Sequence, residues 1–343
     1  MSESGVMMAR EIREAPEAVQ AQQRALAQPV AELADRLRRR PPFVAVTCAR
    51  GSSAHAAAFG KHLIERYLGI PVAAAAPNIA SVYGGSLHLK DQLFLAISQS
   101  GSSADLIDMT ASARASGAVT VCIVNATDSP LAAACDIVLP MNAGPELSVA
   151  ATKTFIATLS ALLRLTAEWT GDAKMAEATG RLPERLAAAT GLDWSSALDV
   201  LAGAASLITV GRGPTLAIAR EAALKLKETC NLHAEAFSGA EFLHGPVALV
   251  SPEYPILMFN PTDAAAKGMR QLAVNLREKG TALYTTDPDE DAIDRLPVLP
   301  PDHPETDAVC LIQSFYLMTL HLARRLGTDV DRPRHLRKVT STR

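Results

Sequence analysis

Glu221, Lys225 and Glu228 recur at i, i+4 and i+7, a spacing that projects all three from one face of a helix, while Lys227 points elsewhere. Carboxylate and ammonium alternating in this way also make a solvent-exposed stabilising stripe, so the pattern alone leaves both readings open. The segment that follows, residues 231–246 (NLHAEAFSGAEFLHGP), gathers His233, Glu235, Glu241 and His244 with two glycines and weak periodicity. Titratable groups this dense, in what reads as a Gly-containing loop beside a charged helix face, resemble acid/base machinery more than core. A second cluster, SQSGSS at 98–103, sets the hydroxyls of Ser98, Ser100, Ser102 and Ser103 beside the Gln99 amide. Residues 93–97 before it read as a buried parallel strand, and 104–116 after it as a helix opening at a Ser N-cap. Such a turn aims backbone N–H groups and the positive helix end at one point, which suits a phosphate ester, and Gly101 lets the backbone come close. The loop lacks the P-loop lysine and the G-x-G-x-x-G spacing, so a nucleotide is not the first reading; an ordinary polar turn is the bland alternative. A phosphate holder with Glu, Lys and His suits aldose–ketose interconversion. A carboxylate shuttles the carbon-bound proton, a His or Lys protonates the ring oxygen, and a lysine can form a Schiff base with the open-chain carbonyl. These steps need no metal. His55 and His62 share a helix face without an acidic or Cys partner nearby, so neither metal nor cofactor is expected.

The elements that must position these groups alternate. Residues 1–40 read as helical, their basic end stopped by Pro41 and Pro42. Strands are predicted at 43–47, 71–76, 92–98, 119–125 and 137–140, and Gly51, Ser52 and Ser53 lead into a helix over 54–67. A long amphipathic stretch over 147–169 closes this half, and 170–195 reads as helical and connecting. The pattern then restarts with a strand over 206–210, a turn at 211–214 and a helix over 215–230. Strands at 255–260 and 282–286 follow, with helices at 263–279 and 306–326. Strand–helix alternation implies parallel doubly wound sheets. The recurrence of strand, Gly turn and helix at Val44, Gly51, Ala54 and again at Ile208, Gly213, Leu216 suggests a duplicated domain.

Composition excludes several classes. The 343 residues are 48% hydrophobic, enough for about two domains. A net charge of −3 gives no general pull toward nucleic acid or an anionic membrane, so any anion site must be built locally. Aromatic residues at 4% argue against stacking-based recognition of single strands or exposed sugars. Cys48, Cys122, Cys135, Cys230 and Cys310 are scattered without a C-x-x-C, so neither a zinc cluster nor a redox pair is indicated, and buried thiols are expected. No signal peptide and no apolar run of membrane-spanning length appears, and a cytoplasmic location is expected.

Longer strings then carry a resemblance. SQSGSS at 98–103, NAGPELSVAATKTF at 142–155, EAALKLKE at 221–228, HAEAF at 233–237, EFLHGP at 241–246 and TDVDRPRHLRKVT at 328–340 resemble the double sugar-isomerase (SIS) family. Within it the chain is most similar to the isomerase half of glutamine–fructose-6-phosphate aminotransferases, over almost its whole length. The resemblance implies an α/β fold of two tandem SIS domains, each a parallel sheet flanked by helices in a flavodoxin-like three-layer sandwich. It implies an N-terminal helical segment (1–40), a first SIS domain with the phosphate site (41–170), a second with the catalytic helix and His loop (171–330), and a tail (331–343) contributing to the active site. By matching positions, Ser53, Ser98, Gln99, Ser100 and Ser103 would hold the sugar phosphate, and Val149 and Ala151 would line the sugar through their backbone. Glu228 would move the proton between C1 and C2, supported by Lys225 and Glu221. His244 would assist ring opening in the neighbouring subunit's site, and Lys338 would approach the carbonyl end of the open sugar. A homodimer with shared active sites is implied. Where the family has SQSGET, this chain has Ser103 for the Thr and Ser102 for a frequent Glu.

No glutaminase-like segment precedes the isomerase-like region, so no ammonia release from glutamine is expected. The chain is in this respect similar to the second class of glucosamine-6-phosphate deaminases. The resulting expectation is conversion of glucosamine 6-phosphate to fructose 6-phosphate and ammonia. The alternatives are a deaminase or deglycase for another 6-phosphorylated amino sugar or a fructosamine, ammonia-dependent synthesis of glucosamine 6-phosphate, and a non-catalytic sugar-phosphate sensor.

Overall fold

The computed structural model describes residues 7–252, 254–290 and 292–338. In chain order the elements are α1 (Met7–Arg39), β1 (Ala45–Cys48), α2 (Gly51–Leu68), β2 (Val72–Ala74), α3 (Asn78–Ser81), β3 (Leu93–Ser98), α4 (Ala104–Ala115), β4 (Val119–Val124), α5 (Pro130–Ala134) and β5 (Ile137–Pro140). They continue as α6 (Lys153–Thr170), α7 (Ala173–Ala189), α8 (Leu198–Gly203), β6 (Ser206–Gly211), α9 (Pro214–Cys230), β7 (His233–Ser238), β8 (Ile256–Phe259), α10 (Ala266–Glu278), β9 (Leu283–Thr285) and α11 (Pro304–Arg325).

The chain divides into two units. Among the described residues, the five-strand unit takes Glu17–Glu146, Lys153–Gly180 and 337–338; the four-strand unit takes 7–16, Leu147–Thr152 and Arg181–Leu336. Every ladder is parallel, as the strand–helix alternation requires. The five-strand order is β2-β1-β3-β4-β5, the flavodoxin order. Its centre is β3, buried at every residue and registered Leu93 to Val119 through Ser98 to Val124 on β4. Val46, Phe94, Ala96, Met109, Cys122 and Leu131 belong to one apolar cluster of this unit. The other sheet runs β7-β6-β8-β9, with a core around Ile208, Val210, Met258, Met269 and Leu276.

Three expectations are corrected. Residues 147–152 are irregular, and helix α6 begins only at Lys153; it is buried on nearly all sides rather than amphipathic, leaving only Arg164, Glu168 and Thr170 outside its buried set. Residues 231–246 are not one loop, because 233–238 form β7, paired in parallel with β6. Phe43 is exposed and lies outside β1. All five cysteines are free and buried. Among the described residues no helix is long and apolar enough to cross a membrane.

Candidate active site

In an open parallel sheet a ligand site forms beyond the carboxyl ends of the strands, where the chain turns from one side of the sheet to the other. In the five-strand unit that point lies between β1 and β3, and the two loops leaving it are 49–50, which leads into the first turn of α2, and 99–103. Ser53 sits in the first turn of α2, where amides have no intrahelical acceptor. Ser98 is buried and its Oγ accepts from Gly101 N at 3.1 Å, which folds the loop back on itself. The Ser102 hydroxyl donates to Ser100 Oγ at 2.8 Å. Ser103 is the N-cap residue of α4, but its side chain makes no capping bond. The sequence-based cap is right in position and wrong in chemistry. Arg50 and Asp105 complete the cradle: Asp105 is buried in the first turn of α4 and accepts from Arg50 Nε at 2.7 Å. Burial pushes the neighbouring Cys48 thiol up to about 12, with Asp105 adding to the shift and Arg50 opposing it.

Gly101 is obligatory. Its φ is +63°, and a Cβ there would lie 2.0 Å from Ser129 Oγ, the group that caps α5 by accepting from Ala132 N. Gly101→Ala is expected to cost roughly 2–4 kcal/mol of stability, from left-handed strain and displacement of Ser129. Urea unfolding checks the effect, and a Gly101→Ala midpoint equal to wild type would contradict it.

The same unit contains a carboxylate that sequence reasoning passed over. Glu146, buried just before α6, accepts from Thr154 N at 3.1 Å and Thr154 Oγ1 at 2.6 Å. Its Oε2 also lies 3.1 Å from Lys338 Nζ, so the tail lysine is held by an ion pair whose acid is fully buried and whose base is 26% exposed. Residues 339–343, which include the last two of the 328–340 motif, lie outside the described residues.

In the four-strand unit, Gly211 ends β6; a Cβ there would meet Thr215 O at 2.3 Å, so only glycine lets α9 start this close to the strand. On α9 the stripe is buried rather than solvated. Glu221 is 0% and Lys225 1% exposed, while Glu228 keeps 22% exposure. Lys225 Nζ lies 3.3 Å from Glu221 Oε1 and donates to Glu228 Oε2. Tyr316 OH of α11 donates to Glu221 Oε1 at 3.3 Å. Burial alone would lower the Lys225 ammonium, but the two carboxylates outweigh it and hold its pKa above the ordinary lysine value. A buried lysine held cationic is a fixed positive charge and not an amine nucleophile, which leaves Lys225 a supporting role. Glu228 opens on a cavity of about 530 Å³ that Thr328, Arg332 and Arg334 also line, a size suited to a small metabolite. Lys227 faces away and donates to Ala234 O.

His244 follows a single 3-10 turn (Glu241–Leu243) and is exposed, as is the adjoining Gly245. Val149 and Ala151 lie in the irregular segment Leu147–Thr152, half-buried. Buried Glu11 of α1 fastens this segment, accepting from Leu147 N, Ser148 N and the Ser148 hydroxyl. The candidate residues thus fall into two groups. Ser53, Ser98, Gln99, Ser100, Ser103 and Lys338 belong to the five-strand unit; Glu221, Lys225, Glu228, His244, Val149 and Ala151 belong to the four-strand unit. Asp105 had a readable signal as an acid in the first turn of a helix beside the serine-rich turn, and Glu146 stands within the 142–155 motif. Glu11, Arg50 and Tyr316 had none. Among the described residues no cluster of three His, Cys, Asp or Glu could hold a metal ion.

Two parallel α/β units, one with a hydroxyl-rich turn at its switch point and one with a buried Glu–Lys–Glu helix, define a duplicated, doubly wound α/β protein. The chain belongs to the SIS-domain family, whose model matches residues 45–167 and again 200–323. It is similar to the crystal structure of a candidate phosphosugar isomerase from Silicibacter pomeroyi DSS-3, at 44% identity and a TM-score of 0.91 over 95% of this chain and 100% of that one. It is also similar to the C-terminal domain of glucosamine-fructose-6-phosphate aminotransferase from Francisella tularensis, at 28% identity and a TM-score of 0.84 over 97% of this chain and 100% of that one. Among curated relatives, a glutamine–fructose-6-phosphate aminotransferase from Symbiobacterium thermophilum is 34% identical over 84% of this chain. The chain spans about half the length of the curated relatives it matches.

Proposed function

We propose that the protein converts glucosamine 6-phosphate to fructose 6-phosphate and ammonia. The observation that carries this reading is the Glu221–Lys225–Glu228 array: a buried lysine whose charge is held by two carboxylates, one behind it and one reaching a cavity. In the open-chain sugar Glu228 takes the proton from C2 and returns it to C1, while a second proton passes from the amine nitrogen to the C1 oxygen, so that the aldehyde becomes an alcohol and the amine an imine. Water then hydrolyses the imine to the ketone and ammonia. Lys225, ion-paired with Glu228, orients it for the first transfer. The 98–103 loop with Ser53 holds the phosphate, Val149 and Ala151 line the sugar, His244 protonates the ring oxygen, and Lys338, oriented by Glu146, faces the carbonyl end. Leu243 and Leu249, 54% and 47% exposed beside His244, support a second copy of the chain covering this loop in a homodimer.

Amination by the same site is these steps reversed. All five thiols are buried, and burial pushes those of Cys48 and Cys310 up to about 12 and that of Cys230 to about 11. Burial thus disfavours the thiolate at Cys48, Cys230 and Cys310.

The test is ammonia release coupled to fructose 6-phosphate formation from glucosamine 6-phosphate without glutamine. Release of both in equal amounts is expected; binding of the sugar phosphate with neither product would overturn the reading in favour of another amine or a sensor. Ser100→Ala with Ser103→Ala should raise KM for the phosphorylated sugar roughly 10²-fold and leave binding of glucosamine itself unchanged. Equal losses for both sugars would mean that the loop does not hold the phosphate.

A further inference from the structure

Arg164 stands on α6, whose other side chains are almost all buried. Its guanidinium enters a cavity of about 150 Å³ between α1, α6 and α7. The group is poorly satisfied. Nη2 donates one long bond, 3.4 Å, to Thr179 O, and Nε is buried with no acceptor. Burial lowers its pKa, and no carboxylate among the described residues is paired with it. The carboxylate on the cavity wall, Glu168, is engaged elsewhere, with Oε1 3.0 Å from Arg38 Nη2. A half-buried cation without a counter-charge, its Nε shut away from any acceptor, is unfavourable, so the cavity beside it invites an anion. Leu26, Val30, Ala167 and Ala176 make much of the remaining wall apolar. A space of about this volume takes a ligand the size of benzene, far smaller than a hexose phosphate.

We propose that this cavity binds a compact organic carboxylate of about six heavy atoms, its planar oxygens meeting the Arg164 fork and its hydrocarbon part lying against Leu26 and Val30. None of the residues assigned to the sugar phosphate takes part, so the inference stands whether or not the proposed reaction is right.

The experiment titrates the full chain with butanoate at constant ionic strength, with isosteric butanamide as the neutral control. Butanoate should bind saturably and raise Tm by about 2 °C at ten times its Kd, while butanamide does not. Arg164→Gln and Arg164→Met should abolish the response, and Arg164→Met should raise the ligand-free Tm by removing the unpaired charge. Absence of saturation below about 100 mM, or an equal response to butanoate and butanamide, overturns the proposal. A changed oligomeric state in Arg164→Gln also overturns it, because the guanidinium would then face a second copy of the chain. If neither variant folds, the wild-type comparison of butanoate with butanamide decides alone.

Discussion

Replacing Glu228 with Gln is expected to lower kcat on glucosamine 6-phosphate by about 10²–10⁴-fold while KM stays within about threefold of wild type. The amide keeps the shape of the carboxylate but cannot accept a proton from carbon, so the loss falls on the transition state and spares ground-state binding. The fold should survive, because Lys225 keeps Glu221 as a partner at 3.3 Å and Glu228 is the least buried of the three. Two readouts separate this from a structural effect. Far-UV circular dichroism and the unfolding midpoint should stay near wild type, and solvent-deuterium exchange into C1 of fructose 6-phosphate should fall together with kcat. A variant that turns over within about threefold of wild type, or that still exchanges at C1, would remove Glu228 from the proton path and leave the cavity beside it without a base.

How far such an assignment could be read from the chain alone depends on the kind of interaction. The apolar run at β3 and the serine-rich turn after it are local, and both strand and turn stand where hydrophobic patterning and turn chemistry put them. The 3.6-residue period of Glu221, Lys225 and Glu228 was equally legible. Their burial was not, because nothing within α9 says that α11 will cover this face and bring Tyr316 to Glu221. The reading of residues 231–246 as a loop failed for a related reason. β7 is the edge strand of its sheet, so His233 and Glu235 remain exposed while Ala234 is buried, and titratable residues hide the alternation. Residues 147–152 look continuous with the apolar helix after them, yet Glu11, distant in sequence, takes their amides and holds them out of it. Contacts of this range leave no local trace. They account for Glu11, Arg50 and Tyr316 being absent from any sequence-based site.

The same burial sets the second large effect. Lys225→Met should cost roughly 3–5 kcal/mol of stability, more than Glu228→Gln, because it removes the cation beside Glu221, a fully buried carboxylate that the Tyr316 hydroxyl alone cannot neutralise. Its pH dependence gives an independent check. Burial pulls the Lys225 pKa down, Glu221 and Glu228 more than restore it, and the folded-state value lies above that of the unfolded chain, about 10.4. A group raised on folding contributes its full stabilisation below the unfolded value and loses it as pH climbs through the folded one. Wild type should therefore lose stability in the alkaline range above about pH 10.4, and the methionine variant should lack that component of the decline. Adding Glu221→Gln and Glu228→Gln to Lys225→Met should recover most of the lost stability, since neutralising a whole buried array is far less costly than halving it. A single Lys225→Met variant within about 1 kcal/mol of wild type would show that water or movement relieves the charge. A triple variant no better than the single would show that lost packing dominates over charge.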